Sequence, residues 1–223
     1  MNSRFIAQME QVLNLYALPY DADYPSVCFD ERPCFLIGEE VQGLNMKAGQ
    51  VAREHYAYEK HGSCALLMAI EPQTGKRLAQ VRDQRTKQDY AQYMKELAAL
   101  YPEARKIRVV QDNLNTHNTS SFYEAFSAEE AFALAERFEF HYTPKSASWL
   151  NMIEIEFSAL SKQCLNRRIP TKEQLAKEVL AIVKEREGKA LKIDWQFSKE
   201  AARKKLNRHY QQVNAENIQY QDT

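Results

Sequence analysis

Seven consecutive apolar residues, Cys64-Ala65-Leu66-Leu67-Met68-Ala69-Ile70, constrain the fold of this chain more than any other feature. The run has the length of a central β-strand, and a strand apolar at every position needs cover on both faces. It falls far short of the ~20 residues that cross a bilayer. A sheet layered between helices follows, an α/β architecture.

The flanking segments supply those layers. Val27-Cys28-Phe29 leads into Asp30, and with Pro33 to Ile37 it reads as a buried strand or strand pair. Residues 51–60 alternate as a strand, and after a turn at Gln73 to Lys76 the segment Arg77–Val81 extends a meander. Helices and strands then alternate. Thr86 and Asp89 have capping-box form and open a helix through Leu100, stopped by Pro102. Lys106–Asp112 is a strand running into a polar turn, Asn113 to Asn118. Ser127 and Glu130 repeat the capping signature, and Phe138–Tyr142 is a short strand. A Thr143-Pro144 turn delivers the chain into a helix expected to start near Ser148 or Trp149. Its apolar face is Trp149, Met152, Ile153, Phe157, Leu160 and Cys164. Thr171 caps another helix to about Glu187, and Ser198–Tyr210 reads as a last, very basic one. Upstream, Phe5, Met9, Val12, Leu13 and Tyr16 mark an amphipathic helix ending before Pro19, and residues 20–26 are a connector.

Charge is balanced overall, with 30 basic and 30 acidic residues, but unevenly placed. Residues 161–210 hold 14 Lys and Arg against 6 Asp and Glu, whereas residues 1–160 hold 16 against 22. A basic C-terminal quarter suits a polyanionic partner, or is simply a solvated helical face. The four cysteines form no C-x-x-C pair or zinc spacing and read as reduced thiols, and there is no secretory signal. The five histidines lack ligand spacing, and no phosphate loop, H-E-x-x-H or G-x-S-x-G motif occurs.

The acids matter because of where they fall. Asp30 is read at the end of one apolar strand and Asp112 at the end of another, while Glu154 and Glu156 lie on a later helix. Neighbouring strands are ~4.8 Å apart, so two strand ends can bring carboxylates together. Two such charges ~4 Å apart repel by about 4 kcal/mol at an effective dielectric of ~20. A crowded trio therefore needs protonation or a divalent cation, and oxygen ligands select magnesium or manganese. Glu154 and Glu156 are ~200° apart on a helix, and both flank its apolar face, so periodicity does not choose between them.

Three stretches carry a resemblance. They are Val27 to Pro33, Val109 to His117, and Tyr142-Thr143-Pro144-Lys145 with Ser148 to Glu154. Together they resemble, in order, the three acidic motifs of bacterial insertion-sequence transposases related to mariner elements, the insertion-sequence-630 group of DDE transposases. Leu150-Asn151-Met152-Ile153-Glu154 matches the second half of the third motif, which picks Glu154 over Glu156. The 41 residues between Asp112 and Glu154 exceed the gap usual in mariner relatives, and the Ser127–Arg137 helix is expected to absorb the difference.

The resemblance implies an RNase H-like mixed five-stranded sheet, a three-strand antiparallel meander plus parallel strands, flanked by helices. It implies Asp30, Asp112 and Glu154 as catalytic residues and ligands of two Mg2+ ions, replaceable by Mn2+. The implied reaction is cleavage at transposon ends and strand transfer into target DNA. Asn113 and His117 would orient the second aspartate, contact the scissile phosphate, or only shape the turn. Lys145, Lys162, Arg167 and Arg168 are the DNA-binding candidates, followed by Arg203, Lys204, Lys205 and Arg208. Residues 1–20 would be a linker helix, 21–190 the catalytic domain and 191–223 a basic helix and tail. Implied partners are double-stranded DNA (terminal inverted repeats and target), further copies of the chain during transposition, and a separate helix-turn-helix chain. No membrane is involved, and a cytoplasmic, nucleoid-associated location is expected. Nothing before Asp30 resembles the family's helix-turn-helix, so the chain reads as the catalytic part of a split, truncated or internally started transposase. Another RNase H-like nuclease and a non-catalytic remnant that binds DNA or a partner are the alternatives.

Overall fold

The computed structural model describes residues 1–39 and 57–220. Five strands form one sheet in the order β3-β2-β1-β4-β5. They are β1 (Ser26–Glu39), β2 (Tyr58–Ile70), β3 (Arg77–Arg82), β4 (Ile107–Gln111) and β5 (Phe138–Tyr142). The first three pair antiparallel, and β4 and β5 join parallel, giving the mixed sheet expected. Of the strand read over 51–60, residues 51–56 lie outside the described residues, and Tyr58 to Lys60 begin β2.

The apolar run in β2 behaves as its composition requires. Leu66, Met68 and Ile70 face one core, while Ala65, Leu67 and Ala69 face a second. Helices α2 (Lys87–Ala99), α3 (Ser120–Tyr123) and α4 (Ala128–Glu136) cover the second core with Tyr90, Tyr93, Met94, Leu97 and Phe122. The first core is covered by α1 (Ser3–Tyr16), α5 (Ile153–Leu160) and α6 (Lys172–Gly188). Helices α7 (Lys199–Lys205) and α8 (Asn207–Val213) add Ala202 and Tyr210 to that same core. Each fully buried large apolar side chain contributes about 1.5–3 kcal/mol, so covering both faces is what holds β2 in the interior of the sheet, between β3 and β1. The capping box at Thr86 and Asp89 and the Ser127 cap form as predicted.

Several expectations need correction. The segments around Asp30 make one continuous strand, and Asp30 lies inside it, opposite Met68. Strand β1 outruns its pairing with β4, which ends at Cys28↔Val110, because β2 continues to pair with it as far as Glu39↔Tyr58. Pro33 lies beyond that point, on a part of β1 that pairs with β2 alone among the described residues.

The third-motif helix starts at Ile153 instead of Ser148 or Trp149. Ser148–Leu150 is a separate 3-10 turn, and Asn151 is extended, at φ −85° and ψ 113°. Trp149 consequently leaves the predicted apolar face and stands 44% exposed, edge-on to Phe197. The basic segment Ser198–Tyr210 is two helices, because the backbone leaves helical geometry at Leu206. All four cysteines are free and buried, and among the described residues no helix is long and apolar enough to cross a membrane.

Candidate active site

Strand register brings the first two acids together. Cys28 on β1 pairs in parallel with Val110 on β4, so Asp30 and Asp112 each lie two residues past the same pair. Side chains two apart on a strand share a face, and Cys28 and Val110 both face the core covered by α5. Asp30 and Asp112 line one cavity of about 790 Å³, together with Asn113, Leu114, Lys145 and residues of α1.

Asn151 brings in the third element. Its buried side chain donates from Nδ2 to the carbonyl of Phe29 at 2.8 Å, next to Asp30 in the chain. The same residue's Oδ1 accepts from Ile153 N at 3.4 Å, and its carbonyl accepts from Glu154 N at 3.1 Å. Thus one amide fastens the start of α5 to β1 and also breaks the helix early. Tyr16 at the end of α1 donates its hydroxyl to Leu150 O at 2.7 Å, tying α1 to the same turn. Glu154 is exposed on α5 and does not line the cavity, but its charge reaches Asp30.

Burial pushes the Asp30 carboxyl up to about 7; the hydrogen bond from Glu31 N opposes this, and the charges of Asp112 and Glu154 add to it. That bond uses Oδ1, at 2.8 Å. Asp112 likewise engages Oδ1 alone, with His117 Nδ1 at 2.5 Å and Leu114 N at 3.4 Å. Each aspartate therefore keeps its second oxygen unengaged among the described residues.

His117 holds Asp112 from the other side of the sheet. Its ring is buried, stacked 5.0 Å from Tyr90 and edge-on to Phe29, with Nε2 3.7 Å from Glu31 Oε2. Burial alone would depress the imidazole, but Asp112 and Glu31 outweigh it and raise it to about 9. Buried Gln111 completes the support. It accepts from Tyr90 Oη at 2.9 Å and donates to His117 O at 2.9 Å, which also receives Tyr142 Oη at 3.1 Å.

Glu156 goes elsewhere. Fully buried, it receives Arg77 through Nε and Nη2 at 3.0 and 2.9 Å, and Arg186 through the same atoms at the same distances. Burial works to raise this carboxyl, but the two guanidiniums outweigh it and hold it below the usual range. Both oxygens are committed to joining α5, β3 and α6.

The donor set suits a hard cation in its chemistry, with two unengaged aspartate oxygens, an exposed glutamate and a raised Asp30 that a positive ion would relieve. As placed, no three His, Cys, Asp or Glu side chains among the described residues stand close enough to share one ion.

The basic candidates divide. Lys145 lines the cavity, and Lys162 is exposed on a π-helical turn, Ser161–Leu165, that continues α5. Arg167 is paired with Glu178, and Arg168 donates to Ala57 O at 3.1 Å and lies over the Tyr58 ring. Arg203 is spent on Glu10, through Nε and Nη2 at 2.7 and 2.8 Å. Asn113 is exposed at the cavity.

The contributions of Glu31, Tyr90, Gln111 and Asn151 are not predicted from the sequence. Two signals were available, a polar Gln closing an apolar strand and an Asn three residues before the motif's glutamate. Tyr90 offered none, because its spacing is that of an ordinary core residue.

A family model described as DDE superfamily endonuclease matches residues 25–176. Among solved structures, the chain is similar to the Mos1 mariner paired-end complex with Mn, at 15% identity and a TM-score of 0.58, covering 98% of this chain and 64% of that one. The Mos1 strand transfer complex gives 16% and 0.56, covering 97% and 62%. The paired-end complex with Mg gives 15% and 0.50, covering 97% and 63%. The chain thus spans just under two thirds of the length of these structures. What it shares with them is the fold, the RNase H-like sheet and its flanking helices. No curated protein matches the sequence.

Proposed function

Because the chain belongs to the DDE superfamily of endonucleases, we propose that it is the catalytic domain of a transposase of the mariner-related insertion-sequence-630 group of bacteria. Asp30, Asp112 and Glu154 are its catalytic carboxylates in this reading. The observation that carries it is the β1–β4 register, which sets Asp30 and Asp112 beyond one strand pair and in one cavity. The Mos1 structures are paired-end and strand-transfer complexes, which supports DNA-end cleavage followed by strand transfer as the reaction of this chain.

Asp30, Asp112 and Glu154 would hold two Mg2+ ions, with Mn2+ able to replace them; when bound, such ions polarise the scissile phosphodiester and lower the pKa of a bound water. His117 fixes the Asp112 rotamer by occupying Oδ1, leaving Oδ2 for ligation. Asn151 sets the distance from α5 to β1, and so from Glu154 to Asp30. Lys145 meets a phosphate in the cavity, while Lys162, Arg167 and Arg168 carry the backbone further, Arg167 exchanging Glu178 for DNA. Asn113 contacts the strand at the cavity mouth.

Residues 1–20, 21–190 and 191–223 divide by role, as linker helix, catalytic body and basic tail, within a shared core. Terminal inverted repeats and target DNA are the partners, with further copies of the chain and a separate helix-turn-helix chain completing the assembly in the nucleoid.

The test incubates the protein with DNA carrying the element's ends, Mg2+ and a supercoiled target. Cleavage with joining is expected, and Asp112→Asn should lower both by at least about a hundredfold while the variant stays folded. Cutting without joining would make the chain a different RNase H-like nuclease. DNA binding that Asp112→Asn leaves untouched, with no cleavage or joining by wild type, would leave only a non-catalytic binding role.

A further inference from the structure

We propose that α1 is a wall of the active site and that Arg4 on it binds a phosphate of the strand lying over Asp30 and Asp112. This rests on the reading of the chain as a DNA-cutting enzyme. Arg4 and Gln8, four residues apart and so on one face of α1, line the cavity that holds Asp30 and Asp112, with Lys145 and Ser148 contributed from the third motif. Two cations and two carboxylates thus share one space. Among the described residues neither Arg4 nor Lys145 forms an ion pair, although Arg77, Arg167, Arg186 and Arg203 are all matched to glutamates. Arg4 is an exposed cation lining the same cavity as the two acids, and an anion entering that cavity to reach them is the group it would meet.

The wall is firm. Met9, Val12, Leu13 and Leu15 sink α1 into the core. Glu10, six residues beyond Arg4, is clamped by Arg203 and by Tyr210 Oη at 2.7 Å. At its C-terminal end, α1 is tied to the third-motif turn through Tyr16 and Leu150. Asn2 caps the first turn by accepting from Phe5 N at 2.9 Å. The backbone carrying Arg4 is therefore fixed relative to β1 and the third motif, and its planar fork can take a phosphate in two parallel hydrogen bonds. A phosphodiester approaching two carboxylates is repelled, and Arg4 and Lys145 offset that repulsion in the same cavity. Arg4 would thereby set which phosphate rests at Asp30 and Asp112.

The experiment titrates the full chain against a short fluorescent DNA duplex without metal, over a range of salt. Each phosphate contact adds about 0.9 to the slope of log affinity against log salt, so Arg4→Ala should flatten it by about that amount. Between ~50 and ~200 mM salt, the affinity gap to wild type should then narrow about threefold. Arg4→Lys should restore the slope, and Lys184→Ala, on an exposed position of α6, should leave it unchanged. An unaltered slope in Arg4→Ala overturns the inference, as does an equal loss in Lys184→Ala. If wild type shows no salt-dependent binding, the reading of the chain as a DNA enzyme fails as well, so the two failures are distinguishable. Melting curves of Arg4→Ala should overlay wild type, because the side chain is exposed and forms no ion pair among the described residues.

Discussion

Replacing Glu156 with glutamine should cost the fold about 3–5 kcal/mol, the penalty of stripping the charge from a buried pair and leaving its partner uncompensated. The structure sets that scale. Glu156 and Arg77 are both fully buried, and four charge-assisted hydrogen bonds of 2.9 to 3.0 Å converge on the two carboxylate oxygens. Glutamine keeps the shape but removes the charge, and its NH2 would point a donor at a guanidinium. Against a typical total of 5–15 kcal/mol the loss is a large fraction, and at 2–4 °C per kcal/mol it lowers Tm by roughly 6–20 °C. Urea denaturation and calorimetry of wild type, Glu156→Gln and Glu154→Gln measure it directly. Glu154 is exposed on the same helix, so Glu154→Gln should unfold within about 0.5 kcal/mol of wild type while losing DNA cleavage. Glu156→Gln should keep cleavage per folded molecule at a temperature where it is folded. The clamp also fixes a sign for pH. The folded carboxyl lies below its usual 4.5, so its contribution is complete above that value and is lost as pH falls through the lower folded pKa. A Glu156→Gln protein as stable as wild type, or a Glu154→Gln protein destabilised as much as Glu156→Gln, would refute this division between the two glutamates.

Two further outcomes follow from the supporting residues. His117→Ala should lower cleavage about 10- to 100-fold and raise the Mg2+ concentration needed for half-maximal rate, because Asp112 loses the partner that fixes it; an unchanged metal titration would count against that role. Asn151→Ala strands the Phe29 carbonyl and unties α5 from β1, so it should cost about 1–3 kcal/mol in denaturation and lower cleavage beyond what the unfolded fraction explains.

Much of the architecture was legible because local chemistry dictates it. A strand with no polar side needs cover on both faces, so Cys64–Ile70 implied two flanking layers before any pairing was known. Thr86, Ser127 and Thr171 each announce a helix through a side chain that satisfies a free backbone N–H three residues on, and all three do so. Asp30, Asp112 and Glu154 are singled out in the sequence by the motif order. Their arrangement was not, because it depends on register and packing between segments distant in the chain. Whether Asp30 ends β1 or lies inside it depends on how far β2 keeps pairing, which β1 alone does not encode.

By itself, then, the sequence determined most of the elements and the buried strand β2, since these depend on periodicity and on contacts between near neighbours, and its motifs carried three acids in an order that resembles a known family. Only the tertiary structure decided which glutamate carries the fold. Glu154 and Glu156 flank the same helical face, and periodicity does not say which of them is buried until Arg77 of β3 and Arg186 of α6 close on Glu156. The same holds for Arg4. Its place beside Asp30 and Asp112 arises because α1 folds back onto the core that α5 and α6 also cover, and burial of Met9, Val12 and Leu13 against distant elements brings it there.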